Sequence, residues 1–112
     1  NQPAFVNAVA HIETHLSPLA LLQKLHTIEK EAGRRRTARW GPRTLDLDLL
    51  DFNGMKRKPA SGLVLPHPGI AQRLFVLRPL NEIAPGWVHP VLHRKPATLI
   101  RALRQGGAGD MA

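Results

Sequence analysis

Between Ser17 and Gly33 the chain carries a helix with both ends marked, and this element limits what its neighbours can be. Ser17 offers a side-chain oxygen to the orphan N–H groups of a first turn, and Pro18 suits a first helical position, where no N–H is needed. Leu21, Leu25, Ile28 and Ala32 recur at helical spacing, with Leu22 widening the stripe. Gly33 stands where a residue in the left-handed region would end the helix, so the spacing predicts a helix over 17–32. The segments on either side alternate with period 2. In Phe5–Thr14, Val6, Ala8, Ala10 and Ile12 share one face, and Phe5, Asn7, Val9, His11 and Glu13 share the other. In Thr44–Phe52, Leu45, Leu47 and Leu49 share one face while Asp46 and Asp48 share the opposite one. Two strands flanking one helix make half of a split βαβ arrangement. The expected fold class is therefore α+β, a ferredoxin-like sheet with flanking helices.

Beyond the second alternating segment, Asn53-Gly54 is a hairpin turn signal that would return the chain into a short strand around Met55–Lys58. Pro59–Gly69 reads as loop, because Leu65-Pro66-His67-Pro68 is too proline-dense for a central strand. Ile70–Leu77 reads as a short helix stopped near Pro79, and Thr98–Arg104 as a last helix. A chain of 112 residues, 43% apolar, supports one domain and one core, taken as residues 1–105 with a flexible tail over 106–112. There is no cysteine, which excludes disulfides and thiolate metal sites and suits a reducing cytoplasm. No apolar run approaches the ~20 residues that a bilayer span requires, and no signal-peptide pattern opens the chain.

A formal charge of +8 points to anionic partners. Its distribution is more informative. Arg34, Arg35, Arg36, Arg39 and Arg43 fall within ten residues, and acids follow directly. Carboxylates inside a basic patch repel a nucleic-acid backbone but suit a phosphate compound carried with a metal. Asp46 and Asp48, two apart on an extended segment, emerge from one side with Cα atoms ~6.5–7 Å apart. That pair suits hard cations such as magnesium, which takes one or two carboxylates plus phosphate oxygens and water. Guanidiniums grip phosphate oxygens through paired hydrogen bonds. Taken alone, an Asp-Leu-Asp segment is more often a solvated sheet face than a metal site, and an arginine run after a helix is usually solvent-exposed and merely favourable to its C-terminal dipole. Their joint occurrence around Trp40-Gly41-Pro42 favours a magnesium and polyphosphate site.

The run Arg39-Trp40-Gly41-Pro42-Arg43-Thr44-Leu45-Asp46-Leu47-Asp48-Leu49-Leu50 resembles the signature of the hydroxymethyldihydropterin pyrophosphokinases. Further pieces follow the family's order: Gln2-Pro3 with Phe5-Val6-Asn7, Ile28-Glu29 with Gly33-Arg34, Leu65-Pro66-His67, Arg73 with Phe75, and Pro79-Leu80 with Glu82-Ile83-Ala84-Pro85. The resemblance implies transfer of pyrophosphate from ATP to the hydroxymethyl group of 6-hydroxymethyl-7,8-dihydropterin in folate biosynthesis, with AMP leaving. It implies that Asp46 and Asp48 hold two Mg2+ ions on the phosphates of ATP, and that Arg34 and Arg43 act catalytically by neutralising charge at the breaking anhydride. Arg36, His67 and Arg73 would bind ATP, while Phe5, Asn7 and Phe75 would hold the pterin. Trp40 would fold over the substrates as its loop closes, expelling water. Pro68 departs from the family, where the next residue after the histidine often touches nucleotide. The implied nucleophile is the substrate's own hydroxyl, so no side chain is named as base.

Read without the resemblance, Phe5 and Phe75 are core residues, and His67 is a loop histidine satisfied by backbone. His11, His15, His26, His89 and His93 show no metal spacing and read as structural or surface, His26 lying on a helix that also has room for a polar neighbour of nucleotide; Trp87 reads as packing. Family members open with a glycine-containing strand, a helix, another strand and a threonine-proline-rich loop. None of these precedes Asn1, so the chain is expected to cover the C-terminal two-thirds of such a domain. An exposed sheet edge would then invite self-association and impair catalysis. A basic RNA-binding module on a ferredoxin-like sheet is the other reading of the charge; three Phe, two Trp and no Tyr leave it short of stacking platforms. Neither nucleic acid nor membrane is the expected partner.

Overall fold

The computed structural model describes residues 7–35, 45–58 and 62–106. In chain order they form α1 (Pro18–Arg35), a 3₁₀ turn (Ile70–Gln72), α2 (Leu74–Ile83) and α3 (Pro96–Gly106). The start of α1 follows its sequence signal. The Ala20 N–H donates to Ser17 Oγ at 3.2 Å, and the Leu21 N–H to the Ser17 carbonyl at 2.9 Å. One residue thus answers two donors of the first turn. The end of α1 differs. Gly33 does not stop it, and the helix continues through Arg34 and Arg35. A glycine within a helix costs only about 1 kcal/mol relative to alanine, which a long preceding helical run overrides.

Among the described residues there is no β-strand, so the expected ferredoxin-like sheet is not what this chain forms there. Residues 7–14 and 45–50 carry no ladder; the one bridge among the described residues joins Arg57 and Leu65, which exchange N–H···O bonds of 2.9 and 3.1 Å. Alternation divides side chains between two faces of extended chain. A strand also needs a neighbour ~4.8 Å away whose polar groups answer its own. No described segment lies in that register beside either stretch. Among the described residues there is accordingly no sheet edge.

The Asn53-Gly54 turn does form. Both residues take positive φ, 54° and 71°, and the Met55 N–H closes the turn on the Phe52 carbonyl at 2.9 Å. The chain then returns only as far as the Arg57–Leu65 bridge. The single helix expected over 70–77 is split. Arg73 is extended, with φ −126° and ψ 103°, between the 3₁₀ turn and α2. Pro79 lies inside α2 instead of stopping it. The carbonyl it leaves without a helical donor belongs to Phe75, an exposed residue, where water can serve. α3 opens two residues before Thr98, on the buried Pro96. Residues 107–112 of the expected tail lie outside the described residues.

The core sits where α2, α3 and the 3₁₀ turn meet: Ile70, Leu77, Leu80 and Leu99 are buried together. Burying each such side chain contributes about 1.5–3 kcal/mol. Val9 and Leu50 pack against this cluster, so both extended segments are tethered to it. α1 makes no contact with α2 or α3. Instead its Leu22 and His26 border a cleft with residues 47–49 and 62–64. No helix among the described residues is long and apolar enough to cross a membrane.

Candidate active site

The segment that carries the aspartates is held at two points. On the α1 side, the Leu47 N–H donates to Glu29 Oε2. At the other end, the Leu50 carbonyl accepts the His67 N–H at 2.8 Å, and Leu50 packs on the core. Over residues 46–49 exposure alternates: Asp46 and Asp48 are exposed, and Leu47 and Leu49 half-buried. Period-2 alternation therefore divides residues 46–49 as their sequence suggests, whereas Leu45, expected on the face of Leu47 and Leu49, is exposed, and no strand is formed there.

Asp48 stands at a cleft of about 280 Å³. Leu22, Leu47, Leu49, Leu63 and Val64 give it apolar walls, while Asp48, His67 and His26 supply polar groups. His67 Nε2 lies 3.9 Å from Asp48 Oδ2. The Nδ1 atom of His67 accepts the Gly69 N–H at 3.0 Å, so a neutral ring carries its proton on Nε2. That donor faces the carboxylate side of the cleft. His67 is thus a loop histidine with one nitrogen satisfied by backbone, as its bland reading has it, and one nitrogen turned to the cleft.

A chain of contacts continues from His67. A Cβ built on Gly69 would lie 2.8 Å from the Arg73 guanidinium carbon, so Arg73 lies across the turn that orients His67. The same guanidinium carbon is 5.9 Å from the Phe75 ring centroid. Phe75 is 52% exposed, which removes the reading of it as a core residue. Asp48, His67, Arg73 and Phe75 are therefore linked one to the next. Asn7 is exposed. Arg34 lies in the last turn of α1, while Phe5, Arg36, Trp40 and Arg43 lie outside the described residues.

Two exposed carboxylates on one segment fit a hard cation. Among the described residues no group of three His, Cys, Asp or Glu side chains gathers as a metal cage. An open pair is nonetheless the donor set that magnesium uses when phosphates and water complete its octahedron.

Other participants carried weaker sequence signals. Glu29 appears only as one piece of the family resemblance, yet it holds the backbone between the two aspartates. Gly69 carries no motif, and Leu63 is an apolar residue in a loop. Trp87 does pack against the core, and its indole N–H also donates to Asp51 Oδ2 at 3.2 Å. His89 is buried and structural: its Nδ1 accepts the N–H groups of Val91 and Leu92 at 3.1 and 3.0 Å. Burial lowers its pKa below the ordinary 6.5, against a raising effect of Asp51, with His93 lowering it further.

The family model described as 7,8-dihydro-6-hydroxymethylpterin-pyrophosphokinase (HPPK) matches residues 1–85. The chain is 46% identical over 104 residues to the 2-amino-4-hydroxy-6-hydroxymethyldihydropteridine pyrophosphokinase of Synechocystis sp., covering 93% of this chain and 51% of that protein. With the protein of the same name from Pseudomonas aeruginosa it shares 52% over 85 residues, covering 76% of this chain and 52% of the relative. It is 47% identical over 91 residues to the folic acid synthesis protein fol1 of Pneumocystis carinii, covering 81% of this chain and 12% of that one. The chain spans about half the length of the bacterial relatives, 51% and 52%. Since the family match takes in the arginine cluster, the aspartate pair, His67, Arg73 and Phe75 in one continuous stretch, the chain belongs to the 7,8-dihydro-6-hydroxymethylpterin-pyrophosphokinase family.

Proposed function

We propose that this chain carries the nucleotide and metal side of a pyrophosphokinase that moves the terminal pyrophosphate of ATP onto 6-hydroxymethyl-7,8-dihydropterin. One observation carries the reading: an exposed carboxylate of an aspartate pair stands at an apolar cleft, 3.9 Å from a histidine whose outward nitrogen is a donor. About 280 Å³ with leucine and valine walls suits a flat heterocyclic base better than a whole nucleotide. The phosphates would then run out past Asp48 and His67. The pyrophosphokinase names of the bacterial relatives support the same assignment.

In this reading Asp46 and Asp48 would hold two magnesium ions together with ATP. Bound there, magnesium would screen the phosphate charge and polarise the transferring group. His67 Nε2–H and Arg73 would donate to phosphate oxygens, and Arg36 would add a further grip. Arg34 and Arg43 would meet the charge that develops as the β-phosphorus passes to the pterin oxygen. The new O–P bond forms as the bond to the α-phosphate oxygen breaks, AMP departs with that oxygen, and the hydroxymethyl proton is released. Phe5 and Phe75 would sandwich the pterin, Asn7 would pair with its hydrogen-bonding edge, and Trp40 would close over both substrates. Positioning and charge stabilisation are the main sources of rate in this chemistry.

The test is AMP formation from ATP and magnesium by the full chain, with and without the pterin alcohol. Pterin-dependent AMP release is the expected result. Asp48→Ala should reduce it by at least about a hundredfold, because the metal loses a ligand. Unchanged turnover in that variant would remove the metal assignment.

A further inference from the structure

The aspartate pair lacks the support that a strand ladder would provide among the described residues, so other contacts must set where its carboxylates stand. On the C-terminal side of Asp48, next after the Leu50 carbonyl that accepts the His67 N–H, a second tie runs through Asp51. Its Oδ2 accepts two N–H donors, the backbone of Gly54 at 3.1 Å and the indole of Trp87 at 3.2 Å. Oδ1 of the same carboxylate is buried and accepts no hydrogen bond from a described residue. Trp87 lies 36 residues away in the link between α2 and α3, packs on the core and meets the His89 ring edge-on at 5.6 Å. His89 is itself fixed by two backbone N–H groups. The Asp51 carboxylate thus joins three things: the end of the aspartate segment, the 53–54 turn and the helical core.

We propose that Asp51 is a positioning residue for the metal carboxylates, acting with Trp87 to fix the segment from which Asp48 projects. This rests on the reading that Asp46 and Asp48 hold the metal of a metal–nucleotide complex. The register is short. Asp51 follows Leu50, whose carbonyl holds the His67 N–H at 2.8 Å, and His67 faces Asp48. Releasing Asp51 leaves the segment held beyond Asp48 at Leu50 alone, with Glu29 on the other side at Leu47, and the placement of the Asp48 carboxylate loosens. Groups that orient metal ligands without touching the metal commonly affect affinity by about 10–100-fold.

The experiment titrates ATP into the full chain calorimetrically, once with Mn2+ in place of Mg2+ and once in EDTA. Asp51→Ala should weaken the Mn2+–ATP complex by about tenfold and leave binding in EDTA within about twofold of the parent. Asp51→Asn, whose amide oxygen can accept both N–H donors, should restore Mn2+–ATP affinity to within about twofold. Trp87→Phe keeps the ring in the core and removes only the donor; it should weaken the Mn2+–ATP complex by about threefold, and it carries the test if Asp51→Ala does not fold. Slow exchange of the Trp87 indole proton in the parent and the Asn variant, but not in the Ala variant, would report the bond directly. Positioning is overturned if the Ala and Phe variants match the parent in Mn2+, or lose equal affinity in EDTA. A parent that binds ATP no better with Mn2+ than with EDTA overturns the metal reading itself, a different result.

Discussion

At the scale of single residues, the candidate site depends on groups whose chemistry is visible in sequence and on others whose role is only positional. Asp46 and Asp48 announce themselves through their spacing. Gly69 does not, yet the Arg73 guanidinium occupies the space where its side chain would be. Gly69→Ala should therefore displace Arg73 with little loss of stability, under about 0.5 kcal/mol, since the clash is with the far end of a flexible chain. If Arg73 donates to ATP phosphate as proposed, affinity for Mg·ATP should fall about tenfold, the worth of a charge-assisted hydrogen bond, as in Arg73→Ala. Calorimetry on both variants checks this, and an unchanged affinity in Gly69→Ala would contradict it. His89 makes the second prediction. Burial holds its pKa below 6.5, so the unfolded chain binds that proton at a pH where the folded chain does not. Stability attributable to His89 is thus fully present above pH 6.5 and falls as the pH drops from 6.5 toward the lower folded value. Denaturant midpoints compared at pH 7.5 and 5.0 should fall less in His89→Gln than in the parent. An equal fall would remove His89 as the source. Neither role was legible in sequence, because a lone glycine and a lone histidine carry no spacing; a contact over four residues and a burial contributed by distant segments decide them.

At the scale of elements, local signals predicted existence better than extent. Ser17-Pro18 opens α1 where capping chemistry requires, and Asn53-Gly54 turns with both residues at positive φ. The same kind of reading placed stops at Gly33 and Pro79, and both were passed. A stop signal is a bias of about 1–3 kcal/mol, and a helix with packing or length to spare absorbs it. α2 buries Leu77 and Leu80 on either side of Pro79, which is ample compensation. Gly33 then becomes an opportunity. It is helical, and an added Cβ would meet nothing within 4 Å. Gly33→Ala should stabilise the protein by about 0.5–1 kcal/mol through the unfolded chain's lost freedom, read as a higher denaturation midpoint at constant slope. Gly54→Ala should do the reverse, since φ of +71° strains any side chain there. If Gly33→Ala destabilised the chain, α1 would have to end at Gly33 as its sequence first suggests.

At the scale of the molecule, the chain divides into a helical core and a site built on extended chain and α1. The sequence's alternation correctly separated Asp46 and Asp48 from Leu47 and Leu49, because that division is local to one segment. Which segment hydrogen-bonds to which is a relation between distant residues, and no periodicity within one of them encodes it; there the inferred sheet failed. The core joins α2, α3 and the 3₁₀ turn, whereas α1 touches neither α2 nor α3, and leaves Leu19 and Ile28 exposed. Residues with few buried contacts open at lower free energy than the core. Amide exchange should therefore separate two tiers. Leu77, Leu80 and Leu99 should exchange only on global unfolding, whereas residues 45–49 and the amides of α1 should exchange by smaller openings. If Mg·ATP binds the folded site as proposed, mass action stabilises it, and its addition should slow exchange over residues 45–50 and 62–69 and in the part of α1 that borders the cleft. The core tier should slow less, because local openings there are already rare. Equal protection of both tiers before ligand would mean that α1 and the aspartate segment unfold with the core as one unit. The site's geometry would then be inherited from the whole fold, and the few ties through Glu29, His67 and Asp51 would not be what places it.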